Sequence, residues 1–299
     1  MDLSYLADAP VLAEITPEAL GPWSPSRMKC LEKCPLQFYL KYIAKVSIPD
    51  EEMGDVDTLN RDVGTAAHLV IELMIQKNLT ANDAFDMVKH IYRTRFNEEE
   101  MEYFEGLRQT IREFKYWLFQ LEESRPEGRI KDAIAELELA VDKNFLPVPY
   151  DSPKAFLRGS IDLKLDFFDG GRILLDHKHG GNPAFGIKYH MPQLNIYTLL
   201  AHFGHEACKY SSSGINFLRQ AGRTISPTAH RDEIEKVLTV WFHNRMKKMF
   251  DAIYDAGEMF YKRSSMCQYC EFQAMCTNGK RGTSGELHNL QIATRVLFS

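Results

Sequence analysis

Three charged residues on two neighbouring predicted strands have the types and spacing of a metal site. Asp162 lies on the polar face of one strand, and Asp176 and Lys178 lie two apart on the next, so these last two side chains share a face about 7 Å apart. Carboxylate oxygens suit Mg²⁺ or Mn²⁺, and a nearby lysine can stabilise negative charge that develops on a phosphate. A charged strand face that is simply solvated is the alternative reading, because an Asp-x-Lys pair also arises by chance.

Three cysteines near the C-terminus form a second candidate site. Cys267, Cys270 and Cys276 are close in sequence, so a four-coordinate metal site built on them needs one more ligand from elsewhere. Six cysteines in 299 residues are too few for a disulfide scaffold, which favours metal ligation in a reducing compartment. The spacing alone is equally compatible with Zn²⁺ and with an iron–sulfur cluster, since both accept four thiolates.

Helices dominate the first half of the sequence. The pattern over 24–45 predicts two short helices separated at Pro35, with Ser24 or Ser26 able to cap the first. The acidic, apolar-poor segment 49–62 is typical of a solvated loop. Apolar residues then recur at spacings of three and four, which predicts three further helices, over 64–76, 81–96 and 98–122.

The second half predicts the sheet that must carry the charged residues. The hydrophobic period changes to two at Ala133, where the strands begin. Predicted strands cover 134–141, 158–168, 172–178 and 214–219. Asp169 begins an Asp-Gly-Gly turn that joins the second and third strands in a hairpin. Predicted helices cover 192–203 and 232–260. The fold class is therefore α/β, with a small sheet flanked by helices.

Composition sets limits on location and partners. The net charge of −5 argues against nonspecific attraction to polyanions but leaves room for a local basic groove. No apolar run approaches the roughly 20 residues that span a bilayer, and residues 1–10 lack the features of a signal peptide. We therefore expect no membrane association and a cytoplasmic or nucleoid-associated location, or the host cytoplasm if the protein is viral.

Four short motifs occur in an order that resembles one nuclease family. They are residues 64–68 (Gly-Thr-Ala-Ala-His), 158–162 (Arg-Gly-Ser-Ile-Asp), 176–178 (Asp-His-Lys) and 193–197 (Gln-Leu-Asn-Ile-Tyr). Together they resemble the PD-(D/E)XK nuclease superfamily, in its RecB-like branch, over roughly residues 24–276. The resemblance implies a restriction-endonuclease-like core with a small mixed sheet. It also implies a single nuclease domain over 1–299, with a mainly helical part (24–130), a catalytic sheet core (131–220) and a long helix with the cysteines (221–299).

The same resemblance assigns roles to individual residues. The implied ligands of Mg²⁺ or Mn²⁺ are the side chains of His68, Asp162 and Asp176 and the backbone carbonyl of His177. Lys178 would be the catalytic lysine, and Gln193 and Tyr197 would contact DNA or position that lysine. A further acidic residue is expected on the preceding strand, either Glu136 or Glu138, with Glu136 fitting slightly better.

The cysteines resemble an iron–sulfur subgroup of these nucleases, which includes the CRISPR-adaptation nucleases and the AddB-type nuclease domains. In that resemblance Cys34 joins Cys267, Cys270 and Cys276 on a [4Fe-4S] cluster, with structural Zn²⁺ as the alternative. Cys30 competes with Cys34 as the fourth ligand, although the Pro and aromatic residues that follow favour Cys34. Closing so long a loop would stabilise the fold by roughly 5 kcal/mol on the chain-entropy model.

The expected function is that of a metal-dependent DNA exonuclease acting on single-stranded ends, with 5′ to 3′ polarity, in repair, recombination or DNA processing. One alternative is a DNA-binding or assembly module that works with a helicase, recombinase or integrase partner; another is a zinc-stabilised nucleic-acid-binding protein. Phe38, Tyr39 and Tyr42 would stack on bases or pack against the cluster. The candidate phosphate contacts are basic residues of the C-terminal third: Arg219, Arg223, His230, Arg231, Arg245, Lys247, Lys248, Lys262 and Arg263.

Overall fold

The computed structural model contains nine α-helices and seven strands among the residues that it describes. The described residues are 17, 20–46, 58–124, 129–179, 187–219, 222–256, 262–265, 267, 270–273 and 276. The chain forms two compact units. We call Asp57–Thr239 the central unit, and Met1–Val56 with Val240–Ser299 the terminal unit. The single nuclease domain over 1–299 stays a prediction.

The helices alternate with the strands only in the second half of the chain. The helices are α1 (Pro25–Lys33), α2 (Pro35–Phe38), α3 (Thr58–Gln76), α4 (Ala81–Tyr92), α5 (Glu98–Glu105), α6 (Arg108–Glu123), α7 (Met191–Phe203), α8 (Arg231–Glu233) and α9 (Thr239–Ala256). The strands are β1 (Ile130–Val141), β2 (Pro147–Val148), β3 (Leu157–Phe167), β4 (Gly171–Lys178), β5 (Tyr210–Phe217), β6 (Gly222–Ile225) and β7 (Ala229–His230). No helix among the described residues is both long and apolar enough to cross a bilayer.

The seven strands form one mixed sheet with the order β2-β1-β3-β4-β5-β6, and β7 pairs with β5. All pairs are antiparallel except β4 with β5, which are parallel and are connected through α7. Parallel neighbours need such a crossover, because a tight turn can join only antiparallel strands. The predicted α/β class with a small mixed sheet flanked by helices is confirmed.

The core of the central unit lies between one sheet face and helices α3 to α6. Alternate residues of β3 (Leu163, Leu165 and Phe167) are buried against the apolar stripes of these helices. The period-two pattern of this strand predicted that face correctly. Burying each such side chain contributes roughly 1.5–3 kcal/mol.

The opposite face of β3 carries a buried ionic cluster. Lys164 is fully buried and donates to Asp166 (2.7 Å) and Asp132 (3.0 Å). Arg172 on β4 binds both oxygens of Asp166, at 2.6 and 3.1 Å, and also donates to the carbonyl of Ala201 on α7. These bonds link β1, β3, β4 and α7 through charges that are each paired.

The terminal unit joins segments from the two ends of the sequence. Ser24 caps α1 by accepting from the backbone N–H of Arg27, as predicted, and α1 ends before Pro35. The buried Trp23 ring stacks on Phe38 (5.6 Å between centroids) and meets the edge of Phe250 on α9 (5.8 Å). Glu32 on α1 accepts two hydrogen bonds from Arg245 on α9, at 2.6 and 2.7 Å.

The predicted helices differ from the structure at the start of α3, between α5 and α6, and within the long C-terminal helix. Helix α3 begins at Thr58, inside the segment predicted as a loop; the remainder of that loop that falls on 49–57 lies outside the described residues. The single helix predicted over 98–122 is two helices, because α5 ends at Gly106, which has low helix propensity. The long C-terminal helix contains a π-helical segment, Ile234–Leu238, and its predicted end at 257–260 lies outside the described residues.

Candidate active site

Strand register brings Asp162 and Asp176 side by side. Leu163 pairs with Leu175 across the antiparallel strands β3 and β4, so the residues next to this pair share one sheet face. Asp162 is nearly buried, and its Oδ2 accepts a hydrogen bond of 2.6 Å from the backbone N–H of His177. The predicted convergence of the carboxylates therefore has a structural cause in the hairpin.

His68 reaches the same place from helix α3. Its Nε2 lies 3.1 Å from the carbonyl oxygen of His177, and its Nδ1 lies 3.3 Å from Glu136 and 3.8 Å from Asp162. Ligand atoms of His68, Glu136 and Asp162 all lie within 4.8 Å of one another, a spacing at which one cation could contact all three. The four implied metal contacts and Glu136 thus belong to one site in the central unit.

Glu136 is the acidic residue that the sequence left open against Glu138. Its backbone φ is 51°, a left-handed conformation that is uncommon outside glycine, and such outliers cluster at functional sites. Its carboxylate contacts His68 and accepts a weak hydrogen bond from Ser160 (3.4 Å). Glu138 is exposed on the same strand. Its regular ladder pairing with Ser160 shows that the distortion at Glu136 does not extend to Glu138.

A hydrogen-bond network on the other side of Asp176 contains the remaining predicted residues. Lys178 Nζ lies 3.0 Å from Asp176 Oδ1 and 2.8 Å from Oδ2. Gln193 Nε2 donates to Asp176 Oδ1 at 2.6 Å and also to the hydroxyl of Tyr197 at 2.8 Å. Residues at i and i+4 on a helix share one face, which is why Gln193 can contact Tyr197 as well as Asp176.

Burial and like charge shift the pKa values at this site. Burial raises the pKa of Asp162 to about 7, and the negative charge of Asp176 adds to the rise while His68 opposes it. Burial alone would lower the pKa of His68, but its bond to Glu136 and the charge of Asp162 raise the pKa above the usual value. Two close carboxylates that repel each other fit a site for a divalent cation, which would remove the repulsion.

The two neighbouring aromatic side chains stay neutral at ordinary pH. Burial lowers the pKa of His177 well below its usual range, and the charges of His68 and Lys178 act in the same direction. Its ring is held at Nδ1 by Asn216 (3.0 Å), so the residue offers its backbone carbonyl to the site. Burial also raises the pKa of Tyr197, so its hydroxyl keeps its proton.

An open groove of about 520 Å³ leads to the site. His68, Glu136 and Lys178 line it together with Glu72 and Tyr92, which sequence reasoning did not single out. Glu72 follows His68 by four residues on α3, a spacing that could have indicated a shared helix face. Tyr92 carried no such signal, since its position depends on how α4 packs on α3.

The candidate cluster ligands Cys30, Cys34, Cys267, Cys270 and Cys276 lie in the terminal unit. Cys34 follows α1 and donates its backbone N–H to the carbonyl of Cys30, while Cys267, Cys270 and Cys276 lie in successive turns. Burial raises the pKa of Cys270, and the charges of Cys34 and Cys276 act in the same direction, whereas a backbone hydrogen bond from Phe272 and the charge of Lys33 oppose the rise. Within the described part of the chain, however, the cysteines do not meet the spacing of a closed metal site.

The predicted nucleic-acid contacts are only partly accessible. Phe38 and Tyr39 are fully buried in the terminal unit, so stacking on bases is wrong for these two; Tyr42 is half-buried. Several of the predicted basic residues are engaged by acidic groups or a carbonyl: Arg231 by Glu235, Arg245 by Glu32, Lys247 by Asp251 and Lys262 by the Glu32 carbonyl.

Comparison with known proteins gives one match. A family model described as the PD-(D/E)XK nuclease superfamily matches residues 22–277. That range contains all four motifs, the catalytic candidates and the cysteines. No curated protein matches the chain.

Proposed function

We propose that this protein is a metal-dependent deoxyribonuclease that degrades single-stranded DNA from a free end. The chain belongs to the PD-(D/E)XK nuclease superfamily, and this membership is the starting point of the proposal. The supporting observation is that His68, Glu136 and Asp162 lie within reach of one cation, next to Asp176 and Lys178. His68, Glu136 and Lys178 also line one open groove. We further propose 5′ to 3′ polarity and a role in repair, recombination or DNA processing, on the resemblance to the RecB-like branch alone.

The proposed metal contacts are His68, Asp162, Asp176 and the carbonyl of His177, with Glu136 added by its position. The donor set fits Mg²⁺ or Mn²⁺, which prefer carboxylate and carbonyl oxygens. A divalent ion bound there would supply a Lewis acid for the phosphodiester and a cation that lowers the pKa of water.

The protein's own groups then orient the reaction. The backbone N–H of His177 holds the Asp162 carboxylate, and Gln193 holds that of Asp176, so both acids are fixed before substrate binds. Lys178 places its ammonium group at the same carboxylate, where it can stabilise the charge that develops on the phosphate during in-line attack. Tyr197 fixes Gln193 by accepting its second hydrogen bond.

Degradation of single-stranded DNA labelled separately at each end tests this function. Wild-type protein with Mg²⁺ or Mn²⁺ should release one label first, which reports the polarity, and chelator should abolish cleavage. Asp176→Asn should lower cleavage at least about a hundredfold. Asp151→Asn is the matched control, because Asp151 is almost fully exposed and its oxygen lies 4.0 Å from the guanidinium of Arg158, the limit of an ion pair.

Cleavage that persists in Asp176→Asn would refute this site. No cleavage by fully metallated wild type would favour the other candidate, a DNA-binding or assembly module that acts with a helicase, recombinase or integrase. We also propose a cytoplasmic or nucleoid-associated location, or the host cytoplasm for a viral protein.

We also propose that Cys34, Cys267, Cys270 and Cys276 hold a [4Fe-4S] cluster, with structural Zn²⁺ as the alternative. All four cysteines belong to the terminal unit, which supports a shared site, and four thiolates suit either group. Iron, acid-labile sulfide and zinc measured in anaerobically purified protein separate the two. Iron and sulfide in equal amounts support the cluster, and zinc without sulfide contradicts it.

A further inference from the structure

Two arginines on the β5–β6 hairpin differ from the other predicted nucleic-acid contacts in the central unit. Arg231 is paired with Glu235, whereas Arg219 and Arg223 form no ion pair with any other described residue. Glu113 acts on Arg223 only at a distance and accepts a hydrogen bond from Gln109. Both arginines therefore keep their charge uncompensated by a contacting carboxylate.

Aromatic rings hold both guanidinium groups in place. Arg219 lies over Tyr103 of α5, with 4.9 Å from Cζ to the ring centroid. Arg223 lies over Trp117 of α6 at 5.1 Å and is also 5.8 Å from Phe114. A guanidinium stacked on a ring is oriented by the ring face, while the N–H groups at its edge remain directed outward in its own plane.

Arg223 carries a desolvation cost that an exposed surface arginine would not have. The residue is half-buried, and its Nε is buried without a hydrogen-bond partner among the described residues. Burial lowers the pKa of Arg223, with Glu113 opposing. A partly desolvated cation without a partner is unfavourable by itself, and an anionic ligand would satisfy it.

The same rings connect the arginines to the catalytic strand. Tyr103 meets His179 edge to face at 5.0 Å, and His179 follows Lys178 directly. Phe114 meets His177 edge to face at 5.3 Å on the other side of Lys178. The backbone N–H of Leu218, next to Arg219, donates to the carbonyl of Lys178 at 2.9 Å.

We propose that Arg219 and Arg223 form a clamp for the phosphodiester backbone of the DNA strand that enters the candidate active site. The proposal rests on the proposed function, since it names how the substrate of that same site is held. The ligand is a pair of phosphates, because planar guanidinium edges bind phosphate oxygens in two-point contacts. The clamp recognises the charge and the spacing of the phosphates and has no base specificity.

Binding of a fluorescent single-stranded oligonucleotide, with divalent ions removed by chelator, tests the clamp without cleavage. Arg219→Gln and Arg223→Gln should each raise Kd about tenfold. Each should also reduce the slope of log K against log salt by about 0.7, the value for one phosphate contact on a single strand. Arg231→Gln is the matched control, with the same charge change at a paired arginine, and should change Kd less than about twofold.

Two further measurements keep the proposal falsifiable. If Arg223→Gln fails to fold, Arg223→Lys retains the charge, and it should keep the salt slope while binding more weakly. Exposed Arg219 is tested by Arg219→Gln in either case. The clamp would be overturned if the Arg219 and Arg223 variants had the same Kd and the same salt slope as Arg231→Gln.

The outcome also separates this proposal from the nuclease. Wild type that cleaves DNA while the hairpin variants bind normally would overturn the clamp and keep the nuclease. Wild type that binds through both arginines without cleaving would keep the clamp and overturn the nuclease. Wild type that does not bind the oligonucleotide would overturn the clamp, and the cleavage assay with Mg²⁺ or Mn²⁺ would decide the nuclease separately.

Discussion

At the scale of single residues, the site combines groups that are unfavourable together until a cation binds. Burial raises the pKa of Asp162 to about 7, and the negative charge of the neighbouring Asp176 adds to the rise. His68 and Glu136 place two further potential metal-ligand atoms within 4.8 Å of a ligand atom of Asp162. The individual contribution of each donor can therefore be measured by the affinity for a divalent ion.

Glu136→Gln should weaken Mn²⁺ binding about tenfold or more, because the substitution removes one carboxylate charge and keeps the size of the side chain. Isothermal titration calorimetry of the full-length protein measures the change. Glu138→Gln is the matched control, since Glu138 is exposed on the same strand. Equal affinities in the two variants would contradict a metal role for Glu136.

Lys178→Met should lower the cleavage rate about a hundredfold to a thousandfold with little change in DNA affinity, since the ammonium group acts mainly on charge that develops in the transition state. The side chain of Lys178 is about one-third exposed, so the fold should survive the change. Single-turnover cleavage reports the rate, and Lys77→Met at an exposed position serves as control. A comparable loss in Lys77→Met would remove the support for Lys178.

At the scale of elements, the hairpin of β3 and β4 is stabilised by the ionic cluster on the face opposite the apolar core. Lys164 is fully buried, and its charge is balanced by Asp166 and Asp132. Arg172 ties the same cluster to the end of α7. Because β3, β4 and α7 also carry Asp162, Asp176 and Gln193, this cluster supports the elements that hold the site.

Asp166→Asn should lower the free energy of unfolding by roughly 3–5 kcal/mol at neutral pH, since it leaves two buried cations without their shared partner. Urea denaturation measures the loss. Asp132→Asn should cost much less, because Asp132 is 45% exposed and contacts only Lys164. Equal losses of unfolding free energy in both variants would show that the ion pairs of Asp166 with Lys164 and Arg172 are not the main stabilising contacts of the cluster.

The same cluster predicts a pH dependence. Burial alone would raise the pKa of Asp166, but Arg172 and Lys164 hold it below the usual value. A carboxyl with a lowered folded-state pKa stabilises the protein above its unfolded value, near about 3.9, and loses that contribution as the pH falls through the folded value. The difference between wild type and Asp166→Asn should therefore shrink in this acidic range.

At the scale of the whole molecule, the two kinds of candidate site lie in different units. The acidic residues and Lys178 belong to the central unit, and all of the candidate cluster ligands belong to the terminal unit. The terminal unit already has its own ties between distant segments, in the contacts of Trp23 with Phe250 and of Glu32 with Arg245. A cluster would add to these contacts.

Cys34→Ser should abolish iron incorporation and lower the melting temperature, because it removes a proposed ligand that closes a loop of more than two hundred residues. Cys30→Ser should keep the iron. The Pro and aromatic residues that follow Cys34, and not Cys30, are the basis of this expectation. Iron content per chain distinguishes the two, and loss in Cys30→Ser alone would reverse the assignment.

The local features of this protein follow from the sequence. Asp162 and the apolar residues of β3 were assigned to opposite faces correctly, because alternation along a strand is a property of neighbouring residues. The cap of Ser24 on α1 and the i, i+4 pair of Gln193 and Tyr197 were predictable for the same reason. The motifs also indicated the family, since their order along the chain requires no coordinates.

Tertiary structure alone decided which distant residues meet. Glu136 rather than Glu138 reaches His68 because of a left-handed backbone conformation at one residue of β1. Lys164 is buried and Arg223 lacks an acidic contact because of packing between strands and helices far apart in sequence. Side-chain periodicity is set by the local backbone, whereas burial and pairing depend on the register and packing of elements that only the folded chain brings together.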